Sequence, residues 1–121
     1  MSILLDWDQA LANADGSDEL LMELAQVFIE TYPAMLKDVR DAIDNRDAPV
    51  LQRTAHSLKG SARVFAAGPA TESALKLELM GADANFEGVE EAWNDLVDQI
   101  DQLMSVITDR LSQHNAGGNA K

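Results

Sequence analysis

The stretch "AHSLKGSARVF", Ala55 to Phe65, holds one of only two histidines in the chain. Read as a helix, it puts Lys59 about one turn after His56 and leaves no side chain at Gly60. At neutral pH an exposed imidazole is mostly uncharged, and one ring nitrogen then carries a free lone pair. That nitrogen is a competent nucleophile. A phosphoryl group transferred to it would bring close to two negative charges. Lys59 can offset part of that charge as a mobile ammonium. Gly60 leaves the ring uncovered, so that a second molecule can approach. A mid-helix glycine costs roughly 1 kcal/mol relative to alanine, which calls for a functional or packing reason. The constellation suggests a phosphoryl carrier.

The direction of the ring follows from helical periodicity. With about 100° per residue and Leu51 at zero, Ala55, Leu58, Ala62 and Phe65 fall within about 40° of it and mark the buried face. His56 lies near 140°, Lys59 near 80°, Arg63 near 120° and Gly60 near 180°, all turned away from that stripe. Gln52 and Arg53, one turn before His56, rim the same outward surface and, with Arg63, are candidates for partner contact. Glu78 reads as a structural charge or hydrogen bond on a helix surface. A metal site on His56 is not expected, because no second histidine lies three or four residues away and a closed site needs several ligands.

The rest of the chain supplies the scaffold. Apolar residues recur at intervals of three and four, and no run alternates as a half-buried strand would. A short helix is expected over Asp8–Asn13, anchored by Trp7 and Leu11. Ser17 can cap a long second helix reaching Arg46, with Asp18 and Glu19 at the positive end of its dipole. Its apolar stripe is read as Leu20, Leu24, Val27, Phe28, Leu36, Val39 and Ile43, with a bend near Ile29 to Pro33. Asp47 and Pro49 open the third helix, which runs to about Ala66. Gly68-Pro69 opens a fourth, with Ala70, Ala74, Leu77 and Gly81 along one side. A last helix, Phe86 to Gln113 and capped by Asn85, carries Val89, Trp93, Leu96, Ile100, Leu103, Ile107 and Leu111. The small polar end from His114 is expected to be disordered, and His114 is assigned no role. Short connections make sequence neighbours antiparallel. The expected fold is all-α: an antiparallel up-and-down four-helix bundle over residues 1–113, with a short extra N-terminal helix and a tail at 114–121.

Composition narrows the function classes. Acidic residues outnumber basic ones 21 to 9, for a formal net charge of −12. That argues against general binding to nucleic acid or anionic membrane, both of which use clustered positive charge. There are no cysteines, which excludes disulfides, thiolate chemistry and a cysteine-based zinc site. The N-terminus "MSILLDWDQA" lacks the basic start of a secretion signal, and no apolar run approaches the roughly 20 residues of a membrane span. A cytoplasmic, monomeric domain is expected.

"AHSLKGSARVFAAGPATESALKLELMG" resembles the histidine-containing phosphotransfer domain, whose signature runs roughly A-H-x-L-K-G-[SA]-[SA], then G-A, then a later L-E. The matching positions are Ala55, His56, Leu58, Lys59, Gly60, Ser61, Ala62, Ala67, Leu77 and Glu78. Phe28 to Pro33 also looks like the family's F-x-x-x-x-P. Two positions depart from it: Ala66 stands where glycine is usual, and Arg63 where a small or amide residue is commoner. The resemblance implies a domain that accepts a phosphoryl group on His56, through Nε2, from a receiver-domain aspartate and passes it to another receiver. It implies no cofactor bound by this chain, with Mg²⁺ supplied by the receiver partner. The sequence agrees in having no Gly-rich phosphate loop. Such a domain is a carrier rather than an enzyme, free-standing or part of a hybrid sensor kinase. The alternative is a helical binding module that docks a partner without phosphoryl chemistry. The phosphoacceptor helix of a histidine kinase, H-[ED]-x-x-[TN]-P, fits poorly, since Ser57, Gly60 and Ser61 occupy its defining positions.

Overall fold

A computed structural model describes residues 4–119. It is all-helical among these residues: α1 (Trp7–Asn13), α2 (Asp18–Asp44), α3 (Ala48–Val64), α4 (Gly68–Ala82) and α5 (Val89–Asn119). α3 packs most extensively on α4 and then on α2, while α4 and α2 both pack on α5. Contact thus passes from each long helix to its sequence neighbour and closes between first and last, the ring of an antiparallel up-and-down four-helix bundle. α1 lies outside that ring against α2.

The helix starts follow the expected chemistry. Asp6 accepts from the Gln9 N–H, Ser17 from Leu20 and Asp47 from Val50, each side chain satisfying an amide that the first turn leaves open. Pro49 and Pro69 sit in the first turns of α3 and α4, where a missing donor is harmless. The ends are less usual. α1 to α4 are followed by Asp15, Arg46, Ala66 and Ala84, all at positive φ between 50° and 56°. The residue after each turns its amide back into the helix, as from Asp47 to the Ala42 carbonyl and from Ala67 to that of Ala62. These are left-handed C-terminal caps made without glycine.

The core is aliphatic, with Leu51, Leu58, Leu77, Leu96, Ile100, Leu103 and Ile107 fully buried around Phe28 and Phe65, whose rings stack 5.6 Å apart. The stripes expected on α3, α4 and α5 face this core. On the first half of α2 the stripe is rotated: Leu20 and Val27 are 37% and 54% exposed, and Leu21, Met22 and Ala25 are buried instead. The reason is tertiary. Leu24 and Val27 line a groove against Val64 and Phe65 of α3, so this side meets a neighbouring helix at its edge rather than the bundle centre. α2 passes through Pro33 as one helix.

α5 differs at both ends from expectation. Asn85 accepts from the Glu87 N–H within a turn, and the helix begins at Val89, after Gly88 at φ +78°. At the other end it continues past Gln113 to Asn119, so a disordered tail from residue 114 is not what the chain forms there; residues 120–121 of that expected tail lie outside the described ones. Tertiary contacts accompany its start. Asp18, at the start of α2, pairs with Arg110 at 3.5 Å and His114 at 3.1 Å, and the Arg110 guanidinium lies 5.0 Å from the Trp7 ring centre. His114 therefore ties the last turns of α5 to the start of α2. No described helix is long and apolar enough to cross a membrane.

Candidate functional site

The site begins with two helices that approach unusually closely. A Cβ placed on Gly81 of α4 would stand 2.5 Å from the Gln52 backbone nitrogen and 2.8 Å from the Ala48 carbonyl oxygen of α3. Only glycine allows that approach. Because the helices are antiparallel, one turn back from Gly81 on α4 meets one turn on from Gln52 on α3. Glu78 is thereby delivered to His56.

Buried Ala55 and Leu58 hold α3 with His56 turned outward, and its side chain is 65% exposed. The ring is nevertheless fixed. Nδ1 lies 2.9 Å from Glu78 Oε2. An ionised carboxylate can only accept, so Nδ1 carries the proton and donates it. In the neutral ring this leaves the lone pair on Nε2, which has no hydrogen-bond partner among the described residues. The other carboxylate oxygen, Oε1, forms an ion pair with Lys59 Nζ at 2.6 Å. Pairing with Lys59, and then the contact with His56, holds the Glu78 carboxyl below the usual glutamate range despite the opposing effect of burial.

Lys59 differs from expectation here. The sequence suggests a mobile ammonium on the outward quadrant, but the side chain is only 15% exposed and held by Glu78. At 80° on the helical wheel it lies on the flank that α4 covers, and the carboxylate that α4 brings is its nearest counter-charge. Gly60 has open space around it: a Cβ there would meet nothing within 4 Å, and its φ is not left-handed. Nothing among the described residues requires glycine at this position.

The three rim residues are exposed but spread apart. Gln52 lies one turn before His56, its backbone against Gly81. Arg53 lines a groove of about 440 Å³ between α2 and α3, facing Asp38, Asp41 and Ser57. Arg63 lies at the far end of α3 in a second groove with Gln9, Asn13 and Glu72. Asn13 donates to the Arg63 and Val64 carbonyls there, so α1 covers the end of α3. Neither Arg53 nor Arg63 forms an ion pair among the described residues. No three potential metal-ligating side chains converge among those residues.

Glu78 is the residue that sequence reasoning undervalued. The sequence alone suggests a structural charge, yet Glu78 touches both the candidate nucleophile and the candidate cation. The available signal was the L-E of the resemblance, Leu77-Glu78, whose first member is buried and whose second therefore faces the seam between helices.

Comparison with known proteins identifies the family and the fold. The family model described as "Hpt domain" matches residues 23–109. Histidine-containing phosphotransfer protein B from Pseudomonas aeruginosa PAO1 superposes with a TM-score of 0.84, at 18% identity over 93% of this chain and 98% of that one. The HPT domain of a sensor hybrid histidine kinase from Shewanella superposes with a TM-score of 0.77, at 21% identity over 91% and 95% of the two chains. A search of the curated proteins finds no match.

Proposed function

Because this chain belongs to the Hpt domain family, and is a phosphoryl carrier of a phosphorelay rather than an enzyme, we propose that its phosphoacceptor is His56. One observation carries the reading: an exposed imidazole whose Nδ1 is engaged by Glu78, so that Nε2 is the nitrogen offered to a partner.

The mechanism is in-line transfer. The Nε2 lone pair attacks the phosphorus of an aspartyl phosphate on a docked receiver domain. The Nε2–P bond forms as the acyl P–O bond breaks, and that electron pair returns to the receiver's aspartate carboxylate. Onward transfer is the reverse, to the aspartate of another receiver. The carrier's contribution is position and local charge: an oriented ring, Lys59 within reach of the site, and the uncovered ground at Gly60. Receivers are its partners, and we assign the acidic pocket and the Mg²⁺ to them. Gln52 and Arg53, adjacent to His56, and Arg63, further along, are assigned to docking. Two unpaired arginines on a chain of net charge −12 suit the acidic rim of a receiver. The carrier acts as a monomer in the cytoplasm in this reading.

The test is to mix the protein with a phosphorylated receiver and Mg²⁺ and measure acid-labile phosphate on the chain. Label is expected on the wild type and absent from His56→Ala. Transfer that survives His56→Ala would overturn the assignment. A module that only docks would instead retain its function in His56→Gln.

A further inference from the structure

The arrangement of charge at the site reaches further. One carboxylate, Glu78, contacts both the ring at Nδ1 and the Lys59 ammonium, at 2.9 Å and 2.6 Å. Before transfer it balances one cation, Lys59. We propose that Glu78 changes partner during the phosphoryl cycle, releasing Lys59 to the phosphoryl oxygens and holding the proton on Nδ1 of the phosphorylated ring, which stays a good leaving group at neutral pH. This rests on His56 being the phosphoacceptor.

The charge balance motivates the exchange. A neutral ring with its proton on Nδ1 that gives the Nε2 lone pair to phosphorus becomes a cation bearing a doubly negative phosphoryl group. The site then holds two cations and two anionic groups where it held one of each. The ring cation faces Glu78 through Nδ1–H, and Lys59, the other cation of the cluster, is still held at Oε1. Released from Oε1, Lys59 partners the phosphoryl group, and two pairs replace one. Departure depends on the same proton. When the N–P bond breaks, its electron pair returns to Nε2. If Nδ1 is still protonated, neutral imidazole leaves; if that proton is gone, the leaving group is imidazolate, a far poorer one. An adjacent carboxylate favours the protonated ring.

The surroundings leave this task to Glu78. α3 contributes Lys59 to the cluster, and α4 contributes Glu78. From α2, Asp38 and Asp41 face Arg53 and Ser57 on the opposite flank of α3. Glu72 of α4 lies with Arg63 near α1. Among the described residues, Glu78 is the only carboxylate paired with the ring.

Phosphoramidate, a small N–P donor that needs no receiver, loads the imidazole. Ring ¹⁵N shifts of the phosphorylated protein are followed against pH, and so is the rate of donation to an unphosphorylated receiver. In Glu78→Gln, whose amide oxygen can still accept from Nδ1–H, the pH at which the phosphorylated ring loses its proton falls by about one unit, and the fall-off of donation moves with it. In the unsubstituted protein the Lys59 ammonium shift changes on phosphorylation, a readout that needs no variant. An unchanged midpoint in Glu78→Gln, or a Lys59 signal indifferent to phosphorylation, overturns the exchange while leaving the phosphoacceptor assignment intact. Loading of His56→Ala to the same extent would instead remove the assignment beneath it.

Discussion

Replacing Lys59 with alanine would leave Glu78 charged in a mostly covered position, with the His56 ring as its remaining partner. Stability is then expected to fall by about 1–2 kcal/mol at neutral pH, the cost of a poorly compensated buried charge. The pH dependence has a definite sign. The carboxyl of Glu78 is held below its ordinary range, chiefly by Lys59, so its contribution is fully present above that range and is lost as pH falls through the depressed folded value. Melting curves of wild type and Lys59→Ala should therefore converge in acid, as the pH falls below the ordinary glutamate range and the Glu78 carboxyl takes up its proton. A gap that stays constant into acid would show that Lys59 stabilises the fold through something other than this pair. Phosphoryl transfer is expected to slow in the same variant, and unchanged kinetics would remove Lys59 from the mechanism.

Among the elements, the α3–α4 seam decides whether the site exists. Gly81→Ala would force a methyl group against the Gln52 backbone nitrogen and the Ala48 carbonyl, neither of which can yield without moving a helix. A loss of about 2–3 kcal/mol is expected from overpacking, together with slower phosphoryl transfer as Glu78 is carried away from His56. Full activity and stability would mean that the seam is softer than its geometry. The cap after α3 points the other way. Ala66 adopts φ +51°, a conformation that disfavours any residue with a Cβ, in the position where the resemblance leads one to expect glycine. Ala66→Gly should raise stability by about 0.5–1 kcal/mol, after the greater chain entropy of glycine is counted, and lift the melting temperature by a few degrees. A lower melting temperature would contradict this account of the cap. The left-handed turn was not legible beforehand, because alanine carries no mark of positive φ. It is imposed by the amide of Ala67 closing back on the Ala62 carbonyl.

At the scale of the whole molecule, α3 is flanked by α2 on one side and α4 on the other, and the open ground is around His56 and Gly60. Gly60→Gln adds a side chain where nothing in the chain stands within 4 Å, so the fold should be retained and its melting curve little changed. Transfer from a phosphorylated receiver should nevertheless slow by at least about tenfold, since an added side chain at a packed protein–protein contact removes 1–3 kcal/mol. A normal rate in this variant would mean that the glycine serves something other than access. At one end of the bundle, Asp18 of α2 contacts both Arg110 and His114 of α5. That pairing joins residues from opposite ends of the chain.

What the sequence determined by itself was whatever repeats locally: the helical period, the caps at Ser17 and Asp47, the buried line from Leu51 to Phe65, and hence the outward angle of His56. These depend on neighbours within a turn or two, and the wheel arithmetic captures them. Tertiary structure alone decided the company that His56 keeps. Glu78 is 22 residues away along the chain, and its contact with the ring exists because Gly81 lets two helix backbones nearly touch. The same packing turned Lys59 from a free cation into a paired one, and the fit of α2 against α3 set which side of α2 is exposed. Distances across a seam depend on the shapes of both surfaces, and neither is written in the periodicity of one helix.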